Sequence, residues 1–171
     1  IVALLNGRGN NTLKDKNIRE VCGKPLLAYP AQAAMQSSQI QEFYVSSDDE
    51  RIRSTAHELG YKKINRPEEF GRPDSNQDDV ILHALGEMKD QGVVPDILVI
   101  LLANSVSVKA EWIDQCIDEI RNDSTLSAVV PVVLDLDHHP YRAKRKRKDG
   151  LLEPFFDFGD NRSYREPTQT N

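Results

Sequence analysis

Between Gly7 and Asn17 the chain reads Gly7-Arg8-Gly9-Asn10-Asn11-Thr12-Leu13-Lys14-Asp15-Lys16-Asn17, a run whose residue types suit a phosphorylated ligand. Glycines let the backbone approach an anion closely, and successive N–H groups in a tight turn form a concavity that holds it. Arg8, Lys14 and Lys16 add positive charge able to neutralise a triphosphate, while Asn10, Asn11 and Asn17 donate hydrogen bonds without charge. Two familiar phosphate loops do not fit. The P-loop needs a later glycine followed by Lys and Ser or Thr, and the dinucleotide fingerprint needs a third glycine where this chain has Thr12. Taken alone, the run reads equally as a polar surface turn with solvated lysines.

Other chemistry-bearing residues have plainer readings. His138 and His139 are adjacent and so point to opposite faces of a strand, which argues against shared metal ligation and for a surface role. Lys144 to Lys148 is a run of five cations before a turn, expected as a solvated hairpin tip. Asp48 sits in a helix-capping sequence and is expected to be structural. Trp112, at a helix start, is expected to pack rather than stack on a ligand. Cys22 and Cys116 show neither metal spacing nor a disulfide framework; they read as small core residues of a protein kept in a reducing compartment.

The elements that must position the loop are legible as alternating patterns. Ile1 to Leu5 is a continuous apolar run, the mark of a strand buried on both faces. Leu26, Leu27, Ala31, Ala34 and Met35 share a helix face, with Pro30 a kink or early break. Phe43-Tyr44-Val45 is a second strand. Ser47-Asp48-Asp49-Glu50 then reads as a capping box before a helix that ends at Gly60. The polar stretch Asn65 to Asp79 is a loop, Val80 to Met88 a helix, and Ile97 to Ala103 the strongest strand, expected at a central parallel position. Ala110 to Ile120 gives another helix, Ser127 to Val133 another strand, and Asp149-Gly150 a hairpin turn. The expected fold class is α/β: three layers, a mostly parallel mixed sheet with helices on both faces. In such sheets ligands bind beyond the carboxyl ends of the strands, which singles out the loops after Leu5, Arg66 and Ala103.

With 171 residues the chain is the size of one domain, and its 22 Lys plus Arg against 27 Asp plus Glu leave a formal charge of −5. That balance argues against nucleic-acid and membrane-surface partners, and no apolar run reaches the length of a membrane span. No leader pattern precedes the first strand, and a cytoplasmic location is expected. The chain opens inside a strand pattern and stops without a closing element, so residues 1–171 are expected to be a single domain, truncated at the C-terminus.

Laid over Gly7 to Asn17, the loop resembles that of the acylneuraminate cytidylyltransferases, the CMP-sialic acid synthetase family and its relatives for other nonulosonic acids. Lys16-Asn17 falls on the family's Lys-Asn. The similarity continues through Gly23-Lys24-Pro25-Leu26-Leu27, Val45-Ser46-Ser47-Asp48-Asp49, Arg66-Pro67-Glu68-Glu69-Phe70 and Asp79 to Leu85, with Asn104-Ser105 where Thr-Ser follows the central strand. His138 to Tyr141 resembles a segment near the sugar site. The chain departs where the family's signature arginine falls on Gly7, with Arg8 one place later. Its Ser-Lys becomes Asn10-Asn11, and a glutamine before Thr-Ser falls on Leu102.

The resemblance implies that the anomeric hydroxyl of a nonulosonic (sialic-acid-like) or related 3-deoxy sugar acid attacks the α-phosphate of CTP, with release of pyrophosphate. It implies Mg2+ as cofactor, CTP and a sugar acid as partners, and a homodimer. Arg8, Lys16 and Asn17 are the implied catalytic residues. Gly7, Gly9, Asn10, Asn11, Lys14, Arg66, Ser75 and Asn104 are the implied nucleotide-binding ones, Arg66 and Ser75 lying beside the cytidine. The family's metal-binding aspartates lie in a more C-terminal stretch, so no metal ligand is named. A nucleotidyltransferase for another nucleotide or acceptor, and a non-catalytic nucleotide-binding module, stay open at this point.

Overall fold

The computed structural model describes residues 1–9, 12–72, 74–133 and 143–155, so Asn10, Asn11, His138 and His139 lie outside the described residues. The chain divides into two compact units, Ile1–Pro131 and Val132–Asn171. In chain order the first contains β1 (Val2–Asn6), β2 (Glu20–Val21), β3 (Lys24–Pro25), α1 (Ala28–Gln36), β4 (Glu42–Ser47), α2 (Glu50–Glu58), β5 (Lys62–Asn65), α3 (Gln77–Asp90), β6 (Leu98–Leu102) and α4 (Ala110–Asn122). Single 3-10 turns occupy Lys16–Ile18 and Glu68–Gly71. In the second unit β7 (Lys144–Lys146) and β8 (Leu152–Pro154) form an antiparallel hairpin. Gly150 sits at φ 88° in its turn, as the Asp149-Gly150 pair predicts.

The main sheet has the order β5-β4-β1-β6, and each neighbouring pair is parallel. Alternate residues of β1 face opposite layers. Ala3 and Leu5, with Val45 of β4, pack against Ala31 and Ala34 of α1, Ile52 and Ala56 of α2, and Ile113 and Ile117 of α4. Val2 and Leu4, with Tyr44 and Ile64, pack against Ala84 and Met88 of α3. Three layers result, and the unbroken apolar run at the N-terminus exists because every residue of β1 is buried. Leu5 is fully buried, and its truncation to alanine would cost about 2–5 kcal/mol.

Four local expectations change. Pro30 is the third residue of α1 and does not break it; in a first turn the missing N–H has no helical acceptor to lose. β6 lies at the edge of the described sheet, with Ile100 and Leu102 exposed, and β1 holds the central place. An apolar run reports burial of its faces but not which strands flank it. Residues 127–133 form no strand: Pro131 removes a ladder donor in mid-run, and Val130, Val132 and Val133 stay exposed. Cys22 is an exposed turn residue rather than a core one. With Gly23 it supplies the two positive φ angles (49° and 79°) that close the β2–β3 hairpin. No helix among the described residues is long and apolar enough to cross a membrane.

Candidate nucleotide site

At the carboxyl ends of the strands a cleft of about 330 Å3 is lined by residues from all three expected loops. Four cations, Arg8, Lys16, Arg66 and Arg72, reach it, and no Asp or Glu is among its described lining residues. Asn6, the last residue of β1, forms the floor, with Ser46 and Leu102 opposite it on β4 and β6. Phe70 and Val80 add apolar wall, and Ser75, Gln77 and Asn104 supply neutral polar groups. A larger cavity of about 490 Å3 lies between β6, α4 and residues 127–131. Aliphatic side chains and Trp112 dominate its wall, and among its described lining residues Asp96 is the one that is charged, so these offer no cation to a phosphate.

The glycine-rich loop is held by contacts on the protein side. Gly9 donates its N–H to Asp48 Oδ1 at 3.0 Å. A Cβ on Gly9 would lie 2.7 Å from Asp49 Cβ, and one on Gly71 2.6 Å from Asp48 Cγ. Two glycines therefore let Asp48 and Asp49 come close; at Gly9 the close approach expected for a ligand is made to protein. Asp48 does not cap α2. That role belongs to Asp49, whose side chain accepts from Arg51 N. Arg51 also pairs with Asp15 at 2.7 Å, tying the loop to α2, and this hydrogen bond holds the Asp15 carboxyl below its usual range. Asp15 itself sits at φ 56°, where the chain turns into the Lys16–Ile18 helix.

Asn17 is 4% exposed and donates from Nδ2 to the Arg8 carbonyl at 3.0 Å. Its amide shapes the loop and so places Arg8 and Lys16. Arg66 is 5% exposed and stretches from the end of β5 across β4 to β1. Its Nη2 donates to Ser46 O at 2.6 Å and to Asn6 Oδ1 at 3.2 Å, and its Nε donates to Ser46 Oγ at 3.2 Å. Burial pulls its pKa down to about 10, against the opposing charge of Asp48, so it remains cationic at neutral pH. Ser75 lines the cleft while its hydroxyl donates to Glu69 O at 2.8 Å.

Of the sequence-derived site residues, the cleft gathers Gly7, Arg8, Lys16, Asn17, Arg66, Ser75 and Asn104. Gly9 and Lys14 are not among its lining, and Lys14 is exposed. Reasoning from sequence missed Asn6, Phe70, Arg72, Gln77 and Val80. Asn6 had a signal: it is a polar residue closing an otherwise apolar strand. Arg72 had none, because an arginine in a polar loop looks like any solvated charge.

Fold and site together define a three-layer α/β domain with a cation-lined cleft beyond its parallel strands. The chain belongs to the cytidylyltransferase family, whose model matches residues 7–146. It is 34% identical over 91 residues to the N-acylneuraminate cytidylyltransferase of Escherichia coli O18:K1:H7, covering 53% of this chain and 22% of that protein. It is 30% identical over 138 residues to the CMP-N,N'-diacetyllegionaminic acid synthase of Legionella pneumophila, covering 78% of this chain and 59% of that one. The chain thus spans less than two thirds of either relative. Among solved structures, a CMP:2-keto-3-deoxy-manno-octonic acid synthetase complexed with CTP superposes with a TM-score of 0.60 at 21% identity, over 73% of this chain and 48% of that one. A 4-diphosphocytidyl-2C-methyl-D-erythritol synthase gives 0.61 at 12% identity, over 91% and 67%. Both likenesses concern the fold.

Proposed function

We propose that this chain carries the nucleotide site of an enzyme that transfers CMP from CTP to a nonulosonic or related 3-deoxy sugar acid. The cleft's four cations with no carboxylate among its described lining carry the reading. The two relatives whose names specify CMP transfer to nonulosonic acids give it its substrate class. In the reaction the anomeric hydroxyl oxygen forms a bond to the α-phosphorus, the bond from that phosphorus to the bridging oxygen of the β-phosphate breaks, and pyrophosphate departs. The hydroxyl proton passes to solvent. Such a transfer needs in-line positioning and neutralised charge more than covalent help. Arg8 and Lys16 meet the phosphates, Asn17 fixes the loop that carries them, and Arg66, Ser75 and Asn104 border the nucleoside.

Magnesium enters as the counter-ion of the triphosphate. Among the described residues no group of three His, Cys, Asp or Glu gathers to hold a metal, so they form no ligand set for it. A cytosolic setting suits the two free thiols, and a homodimer is the expected assembly. Calorimetry with CTP, UTP, ATP and GTP, each with magnesium, tests the reading. CTP is expected to bind at least about tenfold more tightly than the others, and to shift the amide signals of Gly7 to Asn17 in a 15N-labelled sample. Pyrophosphate release should then require both CTP and a sugar acid. If no nucleotide perturbs the loop, the reading fails.

A further inference from the structure

The floor of the cleft carries a hydrogen-bond donor that the fold itself does not use. Asn6 is 8% exposed, and its Nδ2 is buried without a hydrogen-bond partner. Its orientation is not a free choice. Arg66 can only donate, so the amide oxygen must face Nη2 and the NH2 group must face away. A buried unmet donor is costly, about 1–3 kcal/mol in general, so its persistence at a cleft floor asks for a partner. Arg66 adds to this edge: its three hydrogen bonds use Nε and Nη2, and Nη1 is not among the donors. The lining thus holds donors that the fold leaves unused, suited to an acceptor.

We infer that Asn6 is a specificity-determining residue whose Nδ2 donates to an acceptor on the pyrimidine ring of the bound nucleotide. This rests on the cleft being the nucleotide site. A neutral ring carbonyl or ring nitrogen suits the position better than a phosphate. Stripping water from a multiply charged phosphate at so buried a floor costs far more than doing so for a carbonyl, and Arg8, Lys16 and the exposed Arg72 meet the phosphates nearer the surface. Cytosine offers two adjacent acceptors, O2 and N3, whereas uracil carries a proton on N3. An unused donor here can meet either ring acceptor of cytosine, whereas at N3 of uracil it meets another donor.

The test uses wild type and Asn6→Asp, with CTP–Mg and inorganic tripolyphosphate–Mg as probes. Asp keeps the shape and an oxygen for Arg66 but replaces the outward donor with an acceptor. CTP should bind at least about tenfold more weakly to Asn6→Asp, and tripolyphosphate should change by less than about threefold. In the wild type, which needs no variant to fold, the Asn6 side-chain NH2 signals should shift on adding CTP and stay in place with tripolyphosphate. Unmoved NH2 signals while CTP binds overturn the inference, as does an Asn6→Asp protein that binds CTP like wild type or loses both probes alike. Absence of CTP binding to the wild type is a different failure, and it overturns the function proposed for the cleft.

Discussion

Gly71→Ala tests whether Asp48 is the pin that holds the glycine-rich loop after β1. The new Cβ would lie 2.6 Å from both Asp48 Cγ and Oδ2 and 3.0 Å from its Cβ, well inside the ~3.5–4 Å optimum for carbon contacts. Gly71 is not among the residues at positive φ, so the backbone tolerates alanine and the clash stands alone. Asp48 must swing away, and Gly9 N–H then loses the acceptor it holds at 3.0 Å. A charge-assisted bond of this kind contributes about 1.5–3 kcal/mol, and the stiffer unfolded chain returns about 0.4–1 kcal/mol. A net loss of about 0.5–2.5 kcal/mol is expected, seen as a lower urea midpoint with an unchanged slope. The double-mutant cycle with Asp48→Ala is decisive. If the reasoning holds, Gly71→Ala becomes cheaper by at least about 1 kcal/mol in that background, because the carboxylate it displaces is gone. Equal losses in both backgrounds would show that Asp48 is not what the glycine makes room for.

Asn17→Ala leaves the Arg8 carbonyl without its 3.0 Å donor and frees the loop. CTP binding is expected to weaken by about tenfold or more, with the urea midpoint moving less than the affinity; calorimetry and unfolding curves on the same variant separate the two. Acid should unfold the protein partly through Glu50. Its hydrogen bonds with Lys63, Ser54 and Arg53 hold its pKa at about 2 in the folded chain, below the ordinary 4.5. The unfolded chain therefore takes up the proton first, so the contribution is complete above pH 4.5 and is lost as pH falls towards 2. Glu50→Gln should flatten the pH dependence of the urea midpoint across that window, leaving the profile above pH 5 parallel to wild type.

Much of the architecture was legible because it rests on short-range pattern. The apolar run of β1, the helix periodicities and the Asp149-Gly150 turn each report a local conformation, and the glycine, asparagine and lysine run after β1 marked a loop that lines the cation-bearing cleft. Distance in sequence set the limit. Arg66 and Asn6 are 60 residues apart, and Gly9 and Asp48 are 39 apart. No local pattern announces that β5, β4 and β1 lie side by side so that one guanidinium crosses all three. Only the strand order turned Asn6 from the end of a strand into the floor of a cleft. It also set the Asn17 amide on the Arg8 carbonyl, and put Asp48 against two glycines rather than on a helix cap. Periodicity in the chain encodes which side of an element is buried; the neighbour it is buried against is decided by long-range packing of the layers, and the chemistry of the site follows from those neighbours.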